Sequence, residues 1–210
     1  MIPVKICGIT STEDAELAIN FGASAIGMIF YPGSPRCVSM STAKMISNSA
    51  QEKVKIVGVF IDEDVDKVNN TIKELDLNMV QLHGDETPEY CNKMTLPVIK
   101  VFRVGNGFDS RVLRDYHVTA FLFDTYQKGK LGGTGDVFNW ELISKINTDT
   151  PIILSGGLNG DNILKGIETV NPSAVDVNSG VESGPGVKDA EKVKNIFTKL
   201  ENIEGNGELF

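Results

Sequence analysis

The sequence predicts a single α/β domain in which eight parallel strands close into a (β/α)8 TIM barrel. Two observations support this fold. Short β-rich runs alternate with helix-like segments along the chain, as in parallel βαβ units. Several strands also place polar residues at alternate positions near their carboxyl ends. Alternate residues share one face of a strand, and in a barrel these faces converge on one mouth. An open, doubly wound sheet is the alternative, but it gives no reason for so many polar strand ends.

Each of the eight strands is predicted from a short run rich in β-branched, aliphatic or aromatic residues. In chain order these runs are VKIC (4–7), AIGMIF (25–30), KIVGVF (55–60), MVQLH (79–83), PVIKVF (97–102), TAFLFD (119–124), PIILSG (151–156) and AVDVNS (174–179).

Helices are predicted between the strands from apolar residues at helical spacing. The first follows Thr12 and is expected to stop near Gly22. The segment 62–75 places four apolar residues on one stripe. Further helices are predicted over 41–50, 86–94, 138–146, 161–170 and 188–203. The segment DSRVLRDY, after the fifth strand, is short and poorly periodic.

The composition is that of an ordinary globular protein. Its 210 residues are 41% hydrophobic and 23% charged, which excludes a disordered chain. A net charge of −8 argues against nucleic-acid or membrane-surface binding. Three cysteines without metal-binding spacing, and no membrane-length apolar run, predict a cytoplasmic protein with free thiols and no bound metal. We expect the barrel to span residues 1–203 and the tail 204–210 to fray.

Glycine-rich loops are predicted to follow strands seven and eight, the usual phosphate site of such barrels. Glycines let backbone N–H groups approach an anion closely. We therefore expect Gly156, Gly157, Asn178, Ser179 and Gly180 to bind a phosphate group. The alternative is that these glycines serve only the turns. A third segment, GGTGD (132–136), lacks the features of a nucleotide-binding loop. We interpret it as a mobile loop that closes over a ligand, or as a simple connector.

Several segments, in chain order, resemble the phosphoribosylanthranilate isomerase family of tryptophan biosynthesis. They are KICGIT (5–10), SPR (34–36), VQLHG (80–84), FDT with GGTGDVFNW (123–125 and 132–140), LSGGL (154–158) and VDVNSGVE with PGVKD (175–182 and 185–189). The resemblance implies a (β/α)8 barrel enzyme that converts N-(5-phosphoribosyl)anthranilate to an aminoketose by Amadori rearrangement. It implies no cofactor and no metal. Asn178 departs from the serine that is usual in the family.

The resemblance implies that Cys7 is the general base and Asp124 the general acid. Cys7 shares a strand face with Lys5, and a nearby cation lowers the pKa of a thiol. Asp124 ends the sixth strand and is expected at the barrel mouth. Without the resemblance, an inert buried thiol and a turn-capping aspartate would be the alternatives.

Substrate-binding residues also follow from the resemblance. Arg36 is expected to bind the carboxylate of the anthranilate ring, since a guanidinium pairs with a carboxylate through two hydrogen bonds. A surface arginine in a proline-bounded turn is the alternative. Lys5, Gln81, His83 and Asp176 are expected to face the substrate, with His83 as a hydrogen-bonding residue rather than a catalyst.

Two other function classes stay open from the sequence. One is another phosphosugar barrel enzyme, either an epimerase or an indole-glycerol-phosphate synthase. Epimerases of this kind need metal-binding histidine clusters, which two histidines cannot easily supply. A synthase would need a catalytic lysine such as Lys5 or Lys100, and would leave Cys7 unexplained. The other class is a non-catalytic phosphometabolite sensor. The sequence leaves the choice between a monomer and a homodimer open.

Overall fold

A computed structural model describes residues 1–105, 107–125, 140–205 and 209–210 of the chain. Eight parallel strands form one closed barrel in chain order, and β8 pairs with β1. The predicted barrel is therefore confirmed, and the doubly wound sheet was the wrong alternative. The strands are β1 (Val4–Cys7), β2 (Ala25–Ile29), β3 (Lys55–Phe60), β4 (Met79–Leu82), β5 (Val98–Val104), β6 (Ala120–Thr125), β7 (Ile152–Leu154) and β8 (Ala174–Val177).

The described residues form seven α-helices, and a 3₁₀ helix over Ser110–Asp115 replaces the helix that would connect β5 to β6. None of the described helices is long and apolar enough to cross a membrane. The α-helices are α1 (Thr12–Asn20), α2 (Met40–Ala50), α3 (Val65–Leu75), α4 (Pro88–Cys91), α5 (Glu141–Ser144), α6 (Ile163–Val170) and α7 (Ala190–Leu200).

Side-chain hydrogen bonds set helix bounds that apolar spacing does not reveal. The helix predicted over 62–75 begins only at Val65, because the Asp64 carboxylate caps its first turn. The helix predicted over 86–94 is a single turn, α4. Beyond it, the Asn69 amide donates to the Lys93 carbonyl and accepts from the Thr95 N–H. These two bonds hold the chain in a turn where the helix was expected to continue.

A short hairpin stands before α7, where the sequence predicted a helix from residue 188. Its strands are β9 (Glu182–Gly184) and β10 (Val187–Lys188). Gly186 adopts a φ of +80° in the connection, a conformation that favours glycine. Strands of three and two residues are too short to show an alternating pattern. The hairpin brings Lys188 Nζ within 2.9 Å of Glu182 Oε1.

The barrel interior divides into an apolar lower part and a polar upper part. The lower part, which we call the barrel floor, consists of Ala25, Val57, Met79, Ile99, Val101, Ala120, Leu122, Ile153 and Ala174. Leu209 and Phe210 are partly buried and pack against this floor. The fraying expected of residues 204–210 stays a prediction, which the packing of these last two side chains opposes.

Candidate active site

A cavity of about 170 Å³ lies at the carboxyl ends of the strands. Ten of the twelve predicted site residues line it, and the two others, Lys5 and Arg36, do not. A larger cavity of about 290 Å³ lies beside it near the end of β5 and shares His83. The ten lining residues are Cys7, Gln81, His83, Asp124, Asp176, Gly156, Gly157, Asn178, Ser179 and Gly180, and the sequence did not single out the remaining four, Ile29, Val59, Ser155 and Leu158.

Lys5 is fully buried and pairs with Asp176 across the junction of β1 and β8. Its Nζ lies 2.8 Å from Asp176 Oδ1, and the two residues are neighbours in the strand register. Burial lowers the pKa of Lys5, but the attraction and the hydrogen bond to Asp176 oppose that effect, and the net shift is upward. Lys5 therefore stays charged beneath the cavity. It supplies a fixed positive charge and does not contact the cavity itself.

Cys7 lies above Lys5 in an apolar pocket with Ile29 and Val59. Gly27 makes room for both residues, since a Cβ there would lie 2.9 Å from Cys7 Sγ. We expected Lys5 to lower the pKa of the thiol, and the net shift is in the opposite direction. Burial raises the pKa of Cys7, and this effect exceeds the lowering by Lys5, while Asp176 raises it further.

A chain of hydrogen bonds joins β4 to β6 on the other side of the cavity. Gln81 Nε2 lies 3.3 Å from His83 Nδ1, and His83 Nε2 lies 3.2 Å from Asp124 Oδ2. Gln81 is only 1% exposed, whereas His83 and Asp124 are half-buried at the cavity wall. The inward position expected for all three residues is thus confirmed. The two hydrogen bonds linking them could not be read from the sequence.

Arg36 lies at the rim, and the residues that hold it were not predicted. Its Nε and Nη2 donate to both carboxylate oxygens of Glu182, the shortest contact being 2.6 Å. Glu182 in turn accepts from Lys188 Nζ at 2.9 Å. A Cβ on Gly8 would lie 2.8 Å from Arg36 Cδ, so the arginine stem packs against the residue after Cys7.

The cluster of Arg36, Glu182 and Lys188 carries two positive charges and one negative charge. Burial raises the pKa of Glu182, but hydrogen bonds from Arg36 and Lys188 outweigh burial and lower it. The same pairing raises the pKa of Arg36, whereas burial lowers that of Lys188. The net charge of the cluster is +1 when all three groups are ionised, and the burial of Lys188 works against its contribution. Glu182 and Lys188 both occur in segments that resemble the family. That resemblance was the sequence signal that could have identified them as site residues.

The loops after β7 and β8 approach each other closely beside the cavity. Gly156 and Gly157 have φ values of +87° and +67°, which L-residues with side chains rarely adopt. A Cβ on Gly180 would clash with the Leu158 carbonyl oxygen. The Gly157 carbonyl accepts from the Asn162 side chain at 3.0 Å, on the side of α6. The Gly157 C=O and the Leu158 N–H belong to one trans peptide and point in opposite directions. The Leu158 N–H is therefore directed away from α6.

The segment GGTGD at 132–136 lies outside the described residues. Among the residues that are described, no group of three or more His, Cys, Asp or Glu side chains could hold a metal ion.

The family model and the curated relatives agree on one family. A family model described as N-(5'phosphoribosyl)anthranilate (PRA) isomerase matches residues 4–199. The chain belongs to this family. A relative of that name from Trichlorobacter lovleyi is 47% identical over 198 residues, covering 94% of this chain and 97% of its own length.

Solved structures of PRA isomerases have the same fold. The enzyme from Thermotoga maritima superposes with a TM-score of 0.87 at 39% identity, covering 97% of this chain and all of its own. A further structure of a PRA isomerase, in complex with reduced 1-(o-carboxyphenylamino)-1-deoxyribulose 5-phosphate, has a TM-score of 0.81 at 36% identity with the same coverage. The protein is thus a PRA isomerase of tryptophan biosynthesis, and its cavity at the strand ends is the candidate active site.

Proposed function

We propose that the enzyme rearranges N-(5-phosphoribosyl)anthranilate to 1-(2-carboxyphenylamino)-1-deoxyribulose 5-phosphate, with Asp124 as general acid and Cys7 as general base. One observation carries the assignment. Cys7 on β1 and Asp124 on β6 line the same small cavity, and the glycine-rich loops after β7 and β8 border it. The acid, the base and the phosphate-binding loops can therefore all contact the same bound sugar phosphate.

The reaction needs two proton transfers of opposite sense. Asp124 donates a proton to the furanose ring oxygen, the bond from that oxygen to C1′ breaks, and the amine nitrogen lone pair forms an iminium. Cys7 then removes the proton from C2′, which gives an enolamine. The enolamine gains a proton at C1′ and loses one from the 2′-hydroxyl to yield the ketone. Protons taken up and released balance over the whole reaction.

The environment of Cys7 suits a base that acts only after the sugar ring has opened. Because its pKa is raised in the empty site, the thiol keeps its proton until a positive charge develops beside it. The iminium formed by ring opening is such a charge, and a neighbouring cation favours the thiolate. Lys5 adds a permanent positive charge beneath the sulfur. The acid step therefore activates the base step.

The two anionic ends of the substrate find separate groups. The loops after β7 and β8 offer polar groups for the phosphate at Gly156, Gly157, Asn178, Ser179 and Gly180. The cluster around Arg36 adjoins Asn178 through Lys188 Nζ, which lies 3.2 Å from Asn178 Oδ1, and it is the group that attracts the anthranilate carboxylate. The solved relative that binds the reduced product analogue supports a ligand with both groups.

Lys100 lines the larger cavity and pairs with Glu86, but neither candidate lysine for a synthase lines the cavity that holds Cys7 and Asp124. The synthase reaction would need an accessible inward lysine, whereas Lys5 is fully buried against Asp176. Lys100 is 2% exposed and donates to Glu86 at 2.7 Å.

The assignment is tested by kcat on the fluorescent anthranilate substrate. Cys7→Ser and Asp124→Asn should each lower kcat by about 10²–10⁴-fold with little change in Tm, because each removes a proton-transfer group. Cys37→Ser and Cys91→Ser are matched controls that should keep kcat. Near-wild-type turnover by folded Cys7→Ser or Asp124→Asn would overturn the mechanism.

A further inference from the structure

The hydrogen-bond chain from Gln81 through His83 to Asp124 assigns a role to a glutamine that no reaction step uses. We propose that Gln81 is a positioning residue. It holds His83 in the tautomer with the proton on Nε2, and that N–H orients the carboxyl group of Asp124. The inference rests on the proposed role of Asp124 as the acid.

The tautomer follows from the donors and acceptors along the chain. In the orientation of the Gln81 amide in this structure, Nε2 faces His83 Nδ1 and donates to it, so Nδ1 accepts and carries no proton. In a neutral imidazole the proton then lies on Nε2. His83 Nε2 therefore donates to Asp124 Oδ2. This hydrogen bond orients the carboxyl group of Asp124 through Oδ2.

The same hydrogen bond also serves after the proton has left. Donation to the ring oxygen leaves Asp124 as a carboxylate, and the Nε2–H of His83 already points at it. Fixed donors directed at developing charge are an effective form of catalysis because no group needs to reorient during the step. The opposite tautomer would place a lone pair against the carboxylate and oppose ionisation.

Gln81 lowers the stability of the fold, and this supports a functional reason for a glutamine at position 81. The residue is 1% exposed, and its Oε1 makes no hydrogen bond to any part of the chain that the structure describes. An unsatisfied buried acceptor destabilises the fold relative to an apolar side chain of similar shape. Position 81 on β4 has the apolar Val59 and Ile99 as register neighbours on β3 and β5. Packing alone would therefore favour an apolar residue at this position.

The first test replaces the amide with an apolar side chain of similar length. Gln81→Met should leave Tm unchanged or raise it, while kcat falls about ten- to a hundredfold and KM changes little. A glutamine kept for the fold would give the reverse, with a lower Tm and unchanged kcat. That result would overturn the inference.

The second test replaces His83 with an amide side chain, which has no tautomers. In His83→Gln an amide nitrogen stands near the former Nε2 and is always a donor, so much of kcat should be retained. His83→Asn is the control, since its shorter amide does not reach Asp124 and should lose kcat. Adding Gln81→Met to His83→Gln should cause no further loss. A second loss equal to that in the wild-type background would contradict a role through His83.

The tautomer itself can be observed without catalysis. The chain has only two histidines, so ¹⁵N NMR of the imidazole nitrogens can be assigned with His117→Gln. Wild-type His83 should show a protonated Nε2 and an unprotonated Nδ1, and Gln81→Met should shift this balance. A protonated Nδ1 in the wild type would refute the inference even if Asp124→Asn proves the acid. An active Asp124→Asn would instead refute the proposed function and leave the tautomer result standing.

Discussion

Cys7 occupies a position that opposes its own ionisation while the cavity is empty. Its neighbours Ile29 and Val59 exclude water, and Asp176 places a negative charge nearby. The sequence showed Lys5 two residues away and suggested an activated thiol. It could not show that Asp176, 171 positions along the chain, already pairs with that lysine. Burial of the thiol reverses the expected direction of the pKa shift, and the distant partner adds to that effect.

This environment predicts slow alkylation of Cys7 near neutral pH. Because burial raises the pKa of the thiol, its thiolate fraction at pH 7 is below that of a free thiol. Iodoacetamide inactivation should therefore rise with a midpoint above the pKa of about 8.5 of a free cysteine. The measurement uses Cys37→Ser, since Cys37 is exposed and would react as well. A midpoint at or below the free value would show that Lys5 outweighs burial.

Arg36 and Glu182 should act as one unit in binding the aryl carboxylate. Arg36→Ala should raise KM about ten- to a hundredfold, since a charge-assisted hydrogen bond contributes roughly 1.5–3 kcal/mol. Glu182→Gln should raise KM less, because it removes the partner that orients the guanidinium. The double variant should match Arg36→Ala alone, because neighbours in one network are not additive.

A substrate analogue without the carboxylate separates binding from folding in this test. Its KM should be unaffected by Arg36→Ala and by Glu182→Gln. Glu168→Gln on the exposed face of α6 is the matched control and should change neither KM nor Tm. If both variants weaken the analogue and the substrate equally, the cluster supports the fold and does not recognise the carboxylate.

At the scale of elements, the loops after β7 and β8 were predicted by position and composition, and they do line the cavity. Their glycines are poor targets for a test. Gly156 and Gly157 have positive φ values, so any side chain there would strain the backbone as well as meet the phosphate. Ser179 is the better choice, since it is exposed at the cavity and lies in a turn of 3₁₀ helix.

Ser179→Asp should raise KM at least tenfold and abolish competition by inorganic phosphate, with a smaller effect on kcat. Two like charges about 4 Å apart repel by roughly 4 kcal/mol near a protein surface. Ser183→Asp, at the one exposed position of β9, adds the same charge and should leave KM unchanged. An unchanged KM for Ser179→Asp would place the phosphate elsewhere.

The eight strands and the inward faces of β1, β4 and β8 could be predicted because alternation within a strand is local. What the sequence could not give are contacts between distant segments. Asn69 ends α4 early through Lys93 and Thr95. Glu182 holds Arg36 across 146 positions. Both depend on where the barrel closes, and no window of neighbouring residues contains that information.

At the scale of the whole molecule, the two ends of the barrel have separate tasks. The upper end carries the polar cavity, and the lower end is sealed by small and branched apolar residues. The chain begins with β1, and its last two residues return to the floor beneath the strands. Changes at the floor should therefore affect the stability of the barrel and leave the chemistry at the mouth intact.

Replacing both Leu209 and Phe210 with alanine should accordingly lower Tm while kcat at 25 °C stays that of the wild type. Burying a large apolar side chain contributes about 1.5–3 kcal/mol when complete, and these two are only partly buried. A combined loss of about 1–3 kcal/mol lowers the Tm of a chain of this size by roughly 2–12 °C. Leu164→Ala is the control, because Leu164 is 42% exposed on α6 and its removal should change Tm little.

An unchanged Tm in the double variant would mean that the end of the chain frays in solution, as the sequence first suggested. A loss of kcat would mean that the floor and the mouth are coupled.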